Sequence, residues 1–217
     1  MDVVINKTKL NNGLTVVSEH ISSVKSISIG IWVKSGARHE TDQQAGVTHF
    51  LEHMLFKGTK NRTAYEIAQS MESVGGYLNA FTSTEYTCYY ARCLDTELER
   101  ALDVLSDMVM SPIFPTEEIE KEKKVVIEEM KMYRDSPDDY LFEEFTSHLF
   151  QKHPLGRPIL GFEETVNSFT DEHLFEYMRL RYAPENLIVA VAGNVDHKAV
   201  VTFCENLFND HDRSLQT

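Results

Sequence analysis

The spacing of apolar residues changes period several times along this chain, and each change marks an element. Residues 8–10 and 14–19 flank Asn11-Asn12-Gly13, a turn sequence suited to positive φ, and residues 26–33 follow with strong β propensity. They predict a hairpin and three neighbouring strands. From Gln44 to Lys57-Gly58 the apolar residues Val47, Phe50, Leu51, Met54, Leu55 and Phe56 run nearly all round a helix, which is the pattern of a buried one, with Gly58 as C-cap. A second helix spans 63–74, opened by Thr63 with Glu66 three residues on and closed by Gly75-Gly76. The period then becomes two. Residues 77–81 and 85–94 alternate and are rich in Tyr, Phe and Thr, so they predict two strands joined by Thr82-Ser83-Thr84.

The middle of the chain is helical. Residues 96–110 carry Leu98, Ala101, Leu102, Leu105, Met108 and Val109 at helical spacing, and Ser111-Pro112-Ile113-Phe114-Pro115 stops them. Thr116 caps the next helix, which runs to about Arg134, is interrupted by Asp135-Ser136-Pro137 and resumes over 138–150. A turn-rich connector at 153–158 leads to a short helical stretch and a longer helix over 170–181. Residues 187–192 form a continuous apolar run suited to a buried strand, and 196–208 a helix capped by Asp196. No internal repeat of fixed period shows. Strands, then helices, then a strand predict an α+β fold: a mostly antiparallel sheet packed against several helices.

Composition narrows the class. In 217 residues, 42% hydrophobic content supplies a real core for one large domain or two small ones. The net charge of −13, with no run of Lys or Arg, excludes non-specific nucleic-acid binding. It suits a cationic peptide, although an acidic surface also serves solubility alone. The start, Met1-Asp2-Val3-Val4-Ile5-Asn6-Lys7, has no basic n-region, long apolar run or cleavage site, so neither membrane insertion nor a signal peptide is expected and the expected location is cytoplasmic. A transit-peptide pattern is also missing, though a mature form could have lost one. Cys88, Cys93 and Cys204 make no disulfide framework. An offset of five along a strand sends Cys88 and Cys93 to opposite faces, so all three are expected to be reduced packing residues.

The chemistry concentrates in His49-Phe50-Leu51-Glu52-His53. Histidines four apart on a helix project from one side, and the glutamate between them lies beside both. Buried, such a group needs a cation. Zinc in a catalytic site takes three protein ligands and leaves one position for water, so a further ligand must come from elsewhere. On the helix from Thr116, Glu122, Val126, Glu129 and Tyr133 share one face, which sets two carboxylates beside an apolar residue. That points to Glu129 as the ligand and to Glu122 as its support, while Glu128 pairs with Lys124 in solvent. The bland reading, two ordinary surface acids, would hold if the histidine cluster were absent.

These residues carry a resemblance. His49-Phe50-Leu51-Glu52-His53 matches the H-x-x-E-H signature of the inverzincins, with the third ligand after 75 intervening residues. The run Glu122-Lys123-Lys124-Val125-Val126-Ile127-Glu128-Glu129-Met130 and the strand Gly75-Gly76-Tyr77-Leu78-Asn79-Ala80-Phe81-Thr82-Ser83 resemble two further motifs of the pitrilysin, insulysin and mitochondrial processing peptidase family, nearest to its bacterial processing-peptidase-like members. The resemblance implies one Zn2+ per domain held by His49, His53 and Glu129, Glu52 as general base, and Glu122 supporting the ligands or the water. It implies a peptide substrate added as a strand, with Asn79 and Ala80 in contact with it. Complete members resemble two homologous halves around a chamber. Residues 1–217 are therefore expected to be the zinc-binding N-terminal half of a two-half clamshell peptidase, partnered by a second half and, alone, binding zinc but cleaving peptides poorly. Two other readings stay open: a non-catalytic partner of the same fold, which an eroded motif would favour, and a structural zinc domain, which would need a fourth protein ligand. His20, His39, His148, His153, His173, His197 and His211 have no convincing ligand spacing.

Overall fold

A computed structural model describes residues 4–208. Met1 to Val3, part of the start read above as free of a targeting signal, and His211 lie outside the described residues. Six strands form one sheet: β1 (Ile5–Lys9), β2 (Thr15–His20), β3 (Ser26–Val33), β4 (Tyr77–Thr82), β5 (Thr87–Leu94) and β6 (Leu187–Gly193), in the order β1-β2-β6-β3-β5-β4. Only the β2–β6 ladder is parallel, so the expected antiparallel α+β sheet is present.

One expectation about the strands fails. β3 is not beside β2, because β6 enters between them and pairs with both. The apolar run of β6 supplies the reason: a strand of Leu, Ile, Val and Ala gains most at a central position, where both its edges are hydrogen-bonded. The period-two pattern of the strands separates two faces. Val16, Ile27, Ile29, Ile31, Tyr89, Ala91, Val189 and Val191 point into the helical layer and are buried. Val17, Glu19, Ser28, Trp32, Tyr90 and Arg92 line a shallow concavity on the opposite face. Cys93 belongs to the core and Cys88 to that concavity, so the two do lie on opposite faces, and all three cysteines are free and buried.

Among the described residues eight α-helices occur in chain order: α1 (Val47–Met54), α2 (Ala64–Glu72), α3 (Leu98–Met110), α4 (Thr116–Asp135), α5 (Pro137–Phe150), α6 (Glu163–Ser168), α7 (Asp171–Arg181) and α8 (His197–Leu207). Several ends differ from the sequence reading. α1 starts three residues late because Gly46 takes φ 91° and residues 42–44 form a separate 3₁₀ turn. It stops at Met54. Gly58 is thus no C-cap but a bridge residue opposite Thr63, at φ 133°. Thr116 is the first helical residue of α4 rather than its cap, Pro115 standing at the cap position. Thr63, Thr170 and Asp196 do cap α2, α7 and α8, each accepting a backbone N–H in the first turn. No helix among the described residues is long and apolar enough to cross a membrane.

Candidate metal centre

α1 carries the two histidines into the molecule because five of its eight residues besides His49 are buried: Val47, Thr48, Phe50, Leu51 and Met54. α4 lies against it and brings Glu122 and Glu129 from one side, as their spacing predicts. The result is one cluster of three donors. His49 Nε2 and His53 Nε2 are 3.3 Å apart, and Glu129 Oε2 lies 3.7 Å from the first and 3.6 Å from the second. It is the one group of histidine, cysteine and acidic side chains among the described residues whose donor atoms converge as metal ligands would. Bonds of about 2.0–2.1 Å in tetrahedral geometry put two donors roughly 3.3 Å apart, so a zinc-sized ion fits this triangle with shifts of a few tenths of an ångström.

Each donor has its own electrostatics. Burial, helped by the neighbouring His53, drives His49 down to about 3, so this imidazole is neutral and ready to bind a cation. Its Nδ1 has no hydrogen-bond partner, so the second proton that would charge the ring gains nothing to offset its burial. His53 is held the other way. Burial lowers its pKa, but a 2.7 Å hydrogen bond to Glu122 and the charges of Glu122, Glu129 and Glu52 outweigh burial and raise it. Glu122 stands 4% exposed behind the cluster, and Lys57 meets its second oxygen at 2.6 Å. Burial pushes that carboxyl up, and the bonds to His53 and Lys57 reverse the shift, leaving it ionised and lowered. A carboxylate on the far nitrogen of a ligating histidine fixes the ring and makes it a stronger donor.

Glu52 faces the same cleft without joining the triangle. Burial raises its carboxyl pKa, the hydroxyl of Thr82 on β4 donates to it and pulls the other way, and Glu129 adds to the rise. The cleft, about 420 Å³, is lined by His49, Glu52 and Glu129, by Ala80, Phe81 and Thr82 of β4, and by Asp139, Phe142 and Glu143 of α5. Ala80 is therefore in the cleft, whereas Asn79 is not among its lining residues. The Asn79 side chain instead accepts from the Ala80 N–H at 2.9 Å and donates to the Tyr77 hydroxyl at 2.6 Å, along the free edge of the sheet.

Three neighbours of the cluster were missed from the sequence. Lys57 follows α1 in a turn that periodicity does not place, and Thr82, which the alternation puts in the connector after residue 81, is the last residue of β4. Glu40, considered below, lies in a segment read as a loop. Glu128 is solvated as expected, but its partner is Lys131 at 2.6 Å rather than Lys124. The remaining described histidines have structural partners: His197 takes Thr8 and Ser18, His20 the Val195 carbonyl, His173 the Thr170 cap, His148 the Glu144 carbonyl, and His39 and His153 accept the Gly36 and Leu155 N–H groups.

Comparison with known proteins gives concordant matches. The family described as Insulinase (Peptidase family M16) matches residues 15–163. A protein of Bacillus subtilis named as an uncharacterized zinc protease is 48% identical over 191 residues, covering 88% of this chain and 47% of its own length. One from Rickettsia felis with the same description is 44% identical over 204 residues, covering 94% and 50%. The crystal structure of a protease from Helicobacter pylori superposes with TM-score 0.91 at 29% identity, covering 96% of this chain and 51% of that one. At 24% identity and TM-score 0.87, the first half of the periplasmic protease PqqL from Escherichia coli shares the fold over 95% of this chain and 46% of its own. The chain spans about half the length of the curated relatives it matches.

Proposed function

The chain belongs to the insulinase family, peptidase family M16, and on that premise we propose that it is the zinc-binding half of an endopeptidase acting on peptides or unfolded segments. His49, His53 and Glu129 hold one Zn2+, Glu52 is the general base, Glu122 orients His53, and Ala80 with Asn79 meets the substrate backbone. The observation that supports this reading most is the triangle of Nε2, Nε2 and Oε2 atoms, sized for a tetrahedral ion, with a second carboxylate, Glu52, of raised pKa beside it.

Zinc held there supplies a Lewis acid and lowers the pKa of water toward ~7. The protein does the rest. Glu52, whose carboxyl pKa burial raises, accepts a proton from the attacking water and returns it to the leaving amine. Thr82 keeps the Glu52 carboxylate aimed into the cleft. β4 lies at an edge of the sheet, so an extended peptide could pair with it beside the site. Three free buried cysteines support a reducing compartment such as the cytoplasm.

The enzyme of full relative length, with Glu52→Gln, tests this. We expect one zinc per site to be kept while kcat falls by roughly 10²–10⁴. Activity near wild type would overturn the role of Glu52, and wild-type protein that takes up no zinc would overturn the site. Intact donors argue against a non-catalytic partner, and the absence of a fourth protein donor among the described residues argues against a structural zinc domain.

A further inference from the structure

His49 sits in the first turn of α1, where backbone N–H groups lack partners within the helix. A Ser, Thr, Asp or Asn at the N-cap normally supplies an acceptor to the amide of the second or third helical residue. Here that position is Gly46, and it cannot be otherwise. Its φ is 91°, and a Cβ would lie 2.4 Å from the Leu160 carbonyl oxygen. The helix that carries both histidines therefore has no cap of its own.

Glu40, six residues upstream and only 5% exposed, fills the gap. Its Oε2 accepts the Gly46 N–H at 2.8 Å, and its Oε1 accepts the Thr48 N–H at 2.9 Å, Thr48 being the second helical residue. The Thr48 hydroxyl donates to the same oxygen at 2.6 Å. With that proton committed, the Tyr177 hydroxyl of α7 donates to Thr48 at 3.1 Å and Ser35 donates to Tyr177 at 3.0 Å, giving one directed chain from Ser35 to the carboxylate. Arg157 clamps the Glu40 backbone carbonyl at 2.7 Å and reaches Asp42 at 2.8 Å. Burial outweighs these donors and the Arg157 charge, which pull the other way, and leaves the Glu40 carboxyl raised to about 7. The hydrogen bonds thus favour the ionised, accepting form.

We infer that Glu40 is the N-cap of α1, supplied from outside the helix, and that through Thr48 it fixes the turn that presents His49. It is a positioning residue, touching neither the metal ligands nor the substrate. The inference rests on the reading of His49 as a zinc ligand. Glu40→Gln keeps the shape but sets an amide NH2 against one of the two backbone N–H groups, so the first turn loosens while the core stays.

The test is zinc affinity of the 1–217 chain, by competition with a chelator, beside the urea midpoint of the metal-free chain. Glu40→Gln is expected to weaken zinc binding by about ten- to a hundredfold, the range for residues that orient a ligand, and to speed hydrogen exchange at the Gly46 and Thr48 amides. Ser18→Ala, which removes a buried hydroxyl from His197 near the other edge of the sheet, lowers the midpoint and leaves zinc affinity unchanged. Should Glu40→Gln not fold, Thr48→Val, which removes only the hydroxyl donor, decides by a weakening of a few fold. Unchanged zinc affinity in the variant that folds overturns the inference. Wild-type chain that binds no zinc overturns the metal site itself and this inference with it.

Discussion

His49 and His53 occupy one helix face four residues apart, yet their environments separate them by several pH units. His49 is 7% exposed, without a partner on Nδ1, and pushed down to about 3; His53 is raised by Glu122. The consequences have opposite signs. For His49 the folded value lies below the unfolded one near 6.5, so between 6.5 and about 3 the unfolded chain binds more protons. The stability it contributes is fully present above pH 6.5 and is lost as pH falls, by up to about 1.4 kcal/mol per pH unit. Urea unfolding of the metal-free chain at pH 7 and pH 5 checks this, and His49→Asn should flatten the slope. For His53, as a proposed ligand, the expected effect is on metal uptake. A ligand must be neutral, so zinc expels its proton, and below its raised pKa the apparent affinity should fall about tenfold per pH unit. Glu122→Gln should weaken zinc by about ten- to a hundredfold and move that fall to lower pH. Chelator competition across pH 5–8 reads both, and a profile unchanged in Glu122→Gln would contradict the role given to it.

α1 is short, and its ends, more than its periodicity, decide what it can hold. Gly46→Ala must place a Cβ 2.4 Å from the Leu160 oxygen at a φ that L-residues avoid. We expect a loss well above the roughly 1 kcal/mol of an unfavourable φ alone, because the neighbour is backbone and cannot turn aside. Thermal unfolding measures it, and a loss below that figure would show that the 160–161 segment yields. The same helix shows what the sequence discloses and what it withholds. His49, His53, Glu122 and Glu129 were legible because helical spacing alone sets which side chains share a face, and one packing event, α1 against α4, completes the cluster. Glu40 and Lys57 were not, since each arrives through an irregular segment whose path no period describes. The place of β6 was hidden for a related reason. Its apolar run announces a buried strand, but which neighbours it joins depends on a return of more than 90 residues after β5.

At the scale of the whole molecule, the cleft has walls of unequal finish. α1, β4 and α4 meet it from a well-packed core, but α5, which contributes Asp139, Phe142 and Glu143, has no buried residue along its 14 positions. Leu141, Phe145 and Leu149 form a stripe on α5, each at least 60% exposed, beside the site. Exposed apolar surface of this kind marks a face that associates with something. A peptide bound only by β4 and this loosely held wall is poorly oriented, and misplacement by about 1 Å can cost 10²-fold in rate. Purified 1–217 should therefore take up one zinc but turn over an unfolded polypeptide at least about 100-fold more slowly than the same enzyme extended to the length of its curated relatives. Zinc content and peptide hydrolysis measured side by side on the two proteins give the answer. Comparable turnover would mean that His49, His53, Glu129 and Glu52, with β4, form a complete catalytic unit, and that the additional length of those relatives serves something other than orientation.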